Sequence, residues 1–186
     1  MSVVPIVTIP NEILNKPTEK VGVAEVTSGE IKQLIQNLLD TVLAAKDPIG
    51  AGLAAPQIGV SKRVCVVRRF YQNPENPDED LTKEYVLINP KIISSSDETV
   101  LGIEGCLSVP DTYGNVERAK KIKIKALNEK GEPIRMSESG FMARVIQHEI
   151  DHLDGILFTT KITGKTYTEA ELDEINKEKE AELVEG

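Results

Sequence analysis

Long apolar runs are missing from this 186-residue chain: none approaches the roughly 18–20 consecutive apolar residues that a membrane span requires. Cysteine is scarce. The two present, Cys65 and Cys106, are too few for a disulfide framework. Cationic residues are in deficit, 22 Lys+Arg against 30 Asp+Glu, for a formal net charge of −8. That sign disfavours a generic nucleic-acid or anionic-membrane binder, because both partners are polyanions; a local basic patch would escape the argument. The first ten residues lack a basic run, and Pro5 and Pro10 interrupt their apolar stretch, so they do not read as a secretory signal. These deficits predict free thiols, a cytoplasmic location, no membrane partner and no direct contact with nucleic acid.

Against them stand 40% hydrophobic residues, enough to build a core, in a length that fits one domain over residues 1–186. Ile31, Leu34, Ile35, Leu38, Leu39, Val42 and Leu43 recur at helical spacing and predict a helix over 28–46. Thr27 and Glu30 suggest a capping box, and Pro48 a stop. Strands are expected at 63–67, 85–88, 99–103 and 121–127, the last alternating lysine with apolar side chains. Residues 134–136 should pair back on it after a turn at Gly131. The proline-marked stretch 71–84 reads as a surface loop. A second helix starts near Ser139, runs from Phe141 to Leu153 and ends at Asp154-Gly155. The charged segment 166–186 reads as a surface-riding helical tail. Strands and helices do not alternate as βαβ units, so the expected class is α+β.

The chain has two histidines, and both fall in His148-Glu149-Ile150-Asp151-His152, an H-E-x-x-H pattern inside the second predicted helix. At about 100° per residue the two rings lie within roughly 40° of each other, one turn apart, so both can face one ion. Phe141 and Val145 share that stripe, which predicts that it faces the core. Two buried neutral imidazoles would each need a partner, at a cost of about 1–3 kcal/mol if left without one; a shared cation serves both. Catalytic sites of this kind usually supply three protein ligands, and the third here is a carboxylate or a thiolate. Cys106, in Glu104-Gly105-Cys106-Leu107-Ser108, is the notable candidate, although alone it reads as a small buried hydrophobe. Cys65, flanked by Val64 and Val66, reads as core. A third segment, Gly50-Ala51-Gly52-Leu53-Ala54-Ala55-Pro56-Gln57, lacks the residues of a nucleotide-binding loop and by itself reads as a packing turn.

Taken together, the three segments resemble the peptide deformylase family, whose motifs G-x-G-L-A-A-x-Q, E-G-C-L-S and Q-H-E-x-D-H stand here in order as Gly50 to Gln57, Glu104 to Ser108 and Gln147 to His152. The resemblance covers roughly residues 5–160, including Ile9-Pro10, Leu14, Pro17 and Arg118. It implies an α+β fold of mainly antiparallel strands around a central helix that carries the H-E-x-x-H motif. It also implies hydrolysis of the N-formyl group from the N-terminal formylmethionine of newly synthesised polypeptides, with release of formate. Cys106, His148 and His152 would hold one divalent metal ion, iron(II) in the cell, replaceable by zinc, nickel or cobalt. Glu149 would be the general acid/base, and Gln57 and the Leu107 backbone N–H would face the developing oxyanion. The peptide would add as a strand along Gly50, Ala51, Gly52 and Gly102, Ile103, Glu104, Gly105, with Val145 lining the methionine pocket. Glu104 and Arg118 would pair behind Cys106. Some bacterial relatives dock on the ribosome through a basic C-terminal helix. Here Glu169, Glu171, Asp173, Glu174, Glu178, Glu180, Glu182 and Glu185 dominate the tail, which disfavours RNA docking there and leaves transient ribosome proximity. Zinc endopeptidases share H-E-x-x-H but usually take a third ligand from a downstream Glu or His. They would leave the Cys106 segment without a role, and a non-catalytic metal sensor would leave Glu149 and Gln57 without one.

Overall fold

The apolar stripe from Ile31 to Val42 forms α1 (Gly29–Ala44), in a computed structural model that describes residues 2–46, 48–76 and 80–184, with residues 80, 176 and 178–184 described by backbone alone. The N-cap is Ser28, whose Oγ accepts from the Ile31 N–H at 3.2 Å; the box expected from Thr27 is not used. The helix ends at Ala44, before the expected Lys46. Among the described residues no helix is long and apolar enough to cross a membrane.

The strands are β1 (Gly52–Ala54), β2 (Val64–Gln72), β3 (Asp80–Ser95), β4 (Thr99–Cys106), β5 (Val109–Ala119), β6 (Lys121–Leu127), β7 (Pro133–Ser139) and β8 (Ile162–Tyr167). They make a five-stranded sheet in the order β1-β2-β3-β6-β7 and a three-stranded sheet in the order β4-β5-β8, every pair antiparallel. The expected class, α+β with antiparallel strands, is the one observed. Much of the expected loop 71–84 is strand instead: Arg68 to Gln72 pair with Glu84 to Asp80 in a long hairpin, and residues 77–79 lie outside the described set. Cross-strand hydrogen bonding extends both strands past the point where apolar alternation stops, which is why the polar sequence concealed them. The β6–β7 hairpin is as expected, with Lys121, Lys123 and Lys125 exposed and Ile122, Ile124 and Ala126 buried.

The run Val64 to Val67 is apolar throughout because both faces of its sheet are covered. Cys65 and Val67, with Ile122, Ile124 and Ala126, pack against α2 (Gly140–Leu153). Val64 and Val66 pack on the opposite side against Ile31, Leu34, Leu38 and Val42 of α1. A third cluster, of Leu14, Val109, Val116, Leu157 and Phe158, sits under the small sheet. The helix that carries H-E-x-x-H therefore lies between the two sheets. Phe141 does not join the core: it is 60% exposed, in the first turn of α2, where its ring meets that of Phe70 at 6.4 Å and 56°.

The charged tail begins later than residue 166. Thr166 and Tyr167 are strand, paired with Gly114 and Tyr113, and α3 is Glu169–Val184. Its start is a capping box: Glu171 Oε2 accepts from the Thr168 N–H at 2.7 Å, and the Glu171 N–H donates to Thr168 Oγ1 at 3.3 Å. Leu172 and Ile175 are half-buried. The side chains of Glu178, Glu180, Glu182, Leu183 and Glu185 lie outside the described set.

Candidate metal centre and active site

His148 and His152 are successive turns of one face of α2, and Cys106 is the last residue of β4, so two distant segments have to be docked before the three can meet. They do meet: the ligand atoms of Cys106, His148 and His152 all lie within 4.8 Å of one another. His152 Nε2 is 3.2 Å from both Cys106 Sγ and His148 Nε2. A tetrahedron with metal–nitrogen bonds of 2.0–2.1 Å has nitrogen–nitrogen edges of about 3.3 Å, so the observed separation suits a cation between the rings. One thiolate and two imidazoles are also a donor set suited to a borderline-soft divalent ion.

The orientation of each ligand comes from its neighbours. His148 Nδ1–H donates to Glu104 Oε2 at 3.0 Å, which leaves Nε2 turned to Cys106 and His152 with its lone pair available. Glu104 is itself gripped by Arg118, whose Nε and Nη2 donate to its two oxygens at 2.9 and 2.8 Å, a bidentate pair buried on both sides. Arg118 also bonds to Asp151 of the motif helix, and Lys161 closes on the same carboxylate at 2.7 Å. The pairing of Glu104 with Arg118 expected from sequence is therefore present, and the Asp of Q-H-E-x-D-H anchors it to α2. Gln147 clamps the helix to β5, with its Nε2 donating to Ala119 O at 3.0 Å and its Oε1 accepting from the Ala119 N–H at 3.1 Å.

These contacts set the charges. Burial alone would raise the Glu104 carboxyl, but the hydrogen bonds from Arg118 and His148 outweigh it and hold the group well below the usual carboxylate range. In the absence of an ion, burial disfavours the imidazolium of His148, yet the neighbouring Cys106 and Glu104 raise it to about 10, so a cation takes the Nε2 lone pair in exchange for a proton. His152, deeper and next to His148, is pushed well below the ordinary value, chiefly by burial. Glu149 is raised to about 7, again chiefly by burial, with Glu104 adding to the shift and His148 and Arg118 opposing it. Among the described residues Glu149 Oε2 and His152 Nδ1 are buried without a hydrogen-bond partner. Cys65 is buried completely in the main core and its thiol is pushed up by burial, as expected of packing.

Gln57 is buried, at 2% exposed. It sits in a 3-10 turn (Ala55–Ile58) directly after β1. Its Oε1 accepts from the Ala54 N–H at 2.8 Å, which fixes the amide so that Nε2 points at Cys106 Sγ (3.5 Å) and Ser108 Oγ (3.2 Å). Leu107 stands in the two-residue turn joining β4 to β5. The glycine at 52 is a matter of space: a Cβ there would lie 2.5 Å from Glu149 Oε1, so the loop can close over that carboxylate only without a side chain.

A cleft of about 200 Å³ opens onto this cluster. Gln57, Cys106, Leu107, His148 and Glu149 line it, together with Gly50, Ala51, Gly52, Ile103, Glu104, Gly105 and Val145. His152 lies behind that lining, and Gly102 lines an adjoining groove instead. Pro48, Ile49, Tyr113, Phe141 and Arg144 also line the cleft and were missed from sequence. Phe141 has a readable signal, its helical spacing to His148, but that spacing alone predicts a core-facing stripe, and the ring stands at the cleft mouth instead. Arg144 and Tyr113 carried none.

A family model described as polypeptide deformylase matches residues 3–167. Peptide deformylase 1 of Bacillus subtilis is 45% identical over 172 residues, 92% of this chain and 97% of that protein. The Met-Ala-Ser-bound class I type b peptide deformylase of Acinetobacter baumannii superposes with a TM-score of 0.76 at 42% identity, covering 87% of this chain and 100% of that one. An actinonin complex of a peptide deformylase from Synechococcus elongatus gives 0.73 at 33% identity, covering 94% and 84%. The chain belongs to the polypeptide deformylase family, metal-dependent hydrolases that remove the N-formyl group from nascent polypeptides.

Proposed function

We propose that Cys106, His148 and His152 hold one divalent ion, iron(II) in the cell and replaceable by zinc, nickel or cobalt, and that Glu149 is the general acid/base for hydrolysis of N-terminal formylmethionine. The observation that carries this reading is the convergence of the three ligand atoms within 4.8 Å in a cleft that Glu149 also lines. Held by these three ligands, an ion would supply Lewis acidity, lowering the pKa of a bound water and polarising the formyl oxygen. Glu149 accepts a proton from the attacking water through its free Oε2 and returns it to the departing amine; a value near 7 suits both halves of that task. Gln57 Nε2 and the Leu107 N–H donate to the oxygen that gains charge. Val145, buried and on the cleft wall, lines the pocket for the methionine side chain. The peptide lies extended between Gly50–Gly52 on one side and the β4 edge, Gly102–Gly105, on the other, bonded through its backbone. Residues 1–186 act as one unit, and the acidic segment 166–186 plays no part in holding RNA. Work on newly made chains places the enzyme transiently near ribosomes in the cytoplasm.

Anaerobic purification, metal analysis and a formate-release assay on formyl-Met-Ala-Ser test the reading. About one ion per chain and formate release that stops on chelation and returns with iron(II) are expected. Cleavage of an unformylated internal peptide without formate release would instead identify an endopeptidase. Gln57→Ala should lower kcat on the order of 10²–10³-fold, as loss of one oxyanion donor does elsewhere, with metal content unchanged, since Gln57 is not among the three ligands.

A further inference from the structure

Arg144 is one turn ahead of His148 on α2, and its guanidinium reaches across to the small sheet. Nη1 donates to Glu104 Oε1 at 2.7 Å, Val116 O at 2.9 Å and Gly102 O at 3.3 Å; Nη2 donates to Val100 O at 2.7 Å. Three of these four acceptors belong to β4, which is the edge of its sheet. That strand gains little from burial: Val100, Leu101 and Ile103 are 45, 57 and 43% exposed. Its place is held by pairing with β5, by the bonds of Glu104 to His148 and Arg118 near its C-terminal end, and by Arg144. Alone among these side chains, Arg144 also takes the Val100 and Gly102 carbonyls and ties them to the helix that bears His148 and Glu149. The chain makes room for the tie. A Cβ on Gly102 would stand 2.9 Å from Arg144 Nη2 and 3.0 Å from Cζ, so only glycine at 102 lets the guanidinium lie against the strand.

We infer that Arg144 is a positioning residue that fixes the β4 edge for the backbone of the bound peptide, and thereby sets how much an extended formyl-peptide gains over a minimal one. The inference rests on the strand-addition reading given under Proposed function. Its physical basis is that an edge strand ordered in advance spares the peptide the entropy of ordering it, a saving collected only by substrates long enough to pair with that strand.

The test compares formyl-Met-Ala-Ser with formyl-methioninamide, which has no downstream residues, in the metal-loaded parent, Arg144→Met, Arg144→Lys and Gly102→Ala. The parent should favour the tripeptide. In Arg144→Met the tripeptide KM should rise about tenfold, the worth of a lost charge-assisted hydrogen bond, and the ratio of kcat/KM between the two substrates should fall with it. Arg144→Lys keeps a cation beside Glu104 but cannot span four acceptors, so the ratio should stay low. Gly102→Ala pushes the guanidinium aside without removing charge and should act in the same direction; it carries the test if Arg144→Met does not fold. A parent that prefers the tripeptide, with variants that lose both activities in equal proportion, would overturn the role of Arg144 alone. A parent indifferent to length would overturn strand addition itself, and this role with it.

Discussion

Glu149→Gln is expected to lower kcat for formyl-peptide hydrolysis by about 10²–10⁴-fold, the range a positioned general acid/base supplies, while the protein still binds one ion per chain. The carboxylate touches none of the three ligand atoms by a hydrogen bond, and its Oε2 is left free at the cleft, so the amide should fit the same space beside Gly52. The same change should raise stability. Burial lifts the Glu149 carboxyl from 4.5 to about 7. The folded protein therefore holds that proton more tightly than the unfolded chain does, and stability declines as pH rises from 4.5 through 7. Glutamine removes the ionisation. The thermal midpoint of Glu149→Gln in the presence of chelator should exceed that of the parent at pH 8, with the gap narrowing towards pH 4.5. A variant that loses activity and metal together would assign Glu149 to the ligand set instead.

Arg118→Met should cost about 3–5 kcal/mol, the usual penalty for stripping the partner from a buried charge. At about 2–4 °C per kcal/mol for a chain of this size, the midpoint should drop on the order of 6–20 °C. Two carboxylates, Glu104 and Asp151, lose a cation at once. Arg144 and Lys161 still hold one oxygen group each, which keeps the loss at the lower end. Because Glu104 accepts from His148 Nδ1, loosening it should also weaken metal affinity about 10–100-fold. Isothermal titration with zinc and a melting curve measure the two effects separately. The double variant Glu104→Leu with Arg118→Met should recover part of the stability, since the two buried partners go together and Asp151 keeps Lys161 while only Arg144 loses its carboxylate, yet not the affinity, since His148 has lost its acceptor. Recovery of both would show that the pair serves packing alone.

How much of this was legible beforehand depends on whether the signal was local. The helix of His148 and His152 was readable because one residue every 100° fixes which side chains share a face, and that rule needs no tertiary context. The alternation of Lys121 to Leu127 was readable for the same reason at period two. Strand β5 has no readable pattern, because a polar residue such as Arg118 answers to Asp151 on α2 and Glu104 on β4 rather than to a repeat along the chain. The extension of β2 to Gln72 and of β3 back to Asp80 is hidden likewise, since cross-strand hydrogen bonds carry no sequence signature. Gln57 and Cys106, taken singly, were ambiguous; their place in three ordered motifs is what marked them.

The order of those motifs, the single-turn spacing of the histidines and the acidic balance were settled by the chain itself, because each is a property of neighbours along the backbone. Folding decided the rest. It set which nitrogen of His148 is free, through Glu104 and Arg118, and which way the Gln57 amide points, through the Ala54 N–H. It also left Phe141 outside the core and brought Arg144 against an exposed edge. All of these are contacts between segments far apart in sequence, and their geometry exists only once both sheets are packed on the same helix.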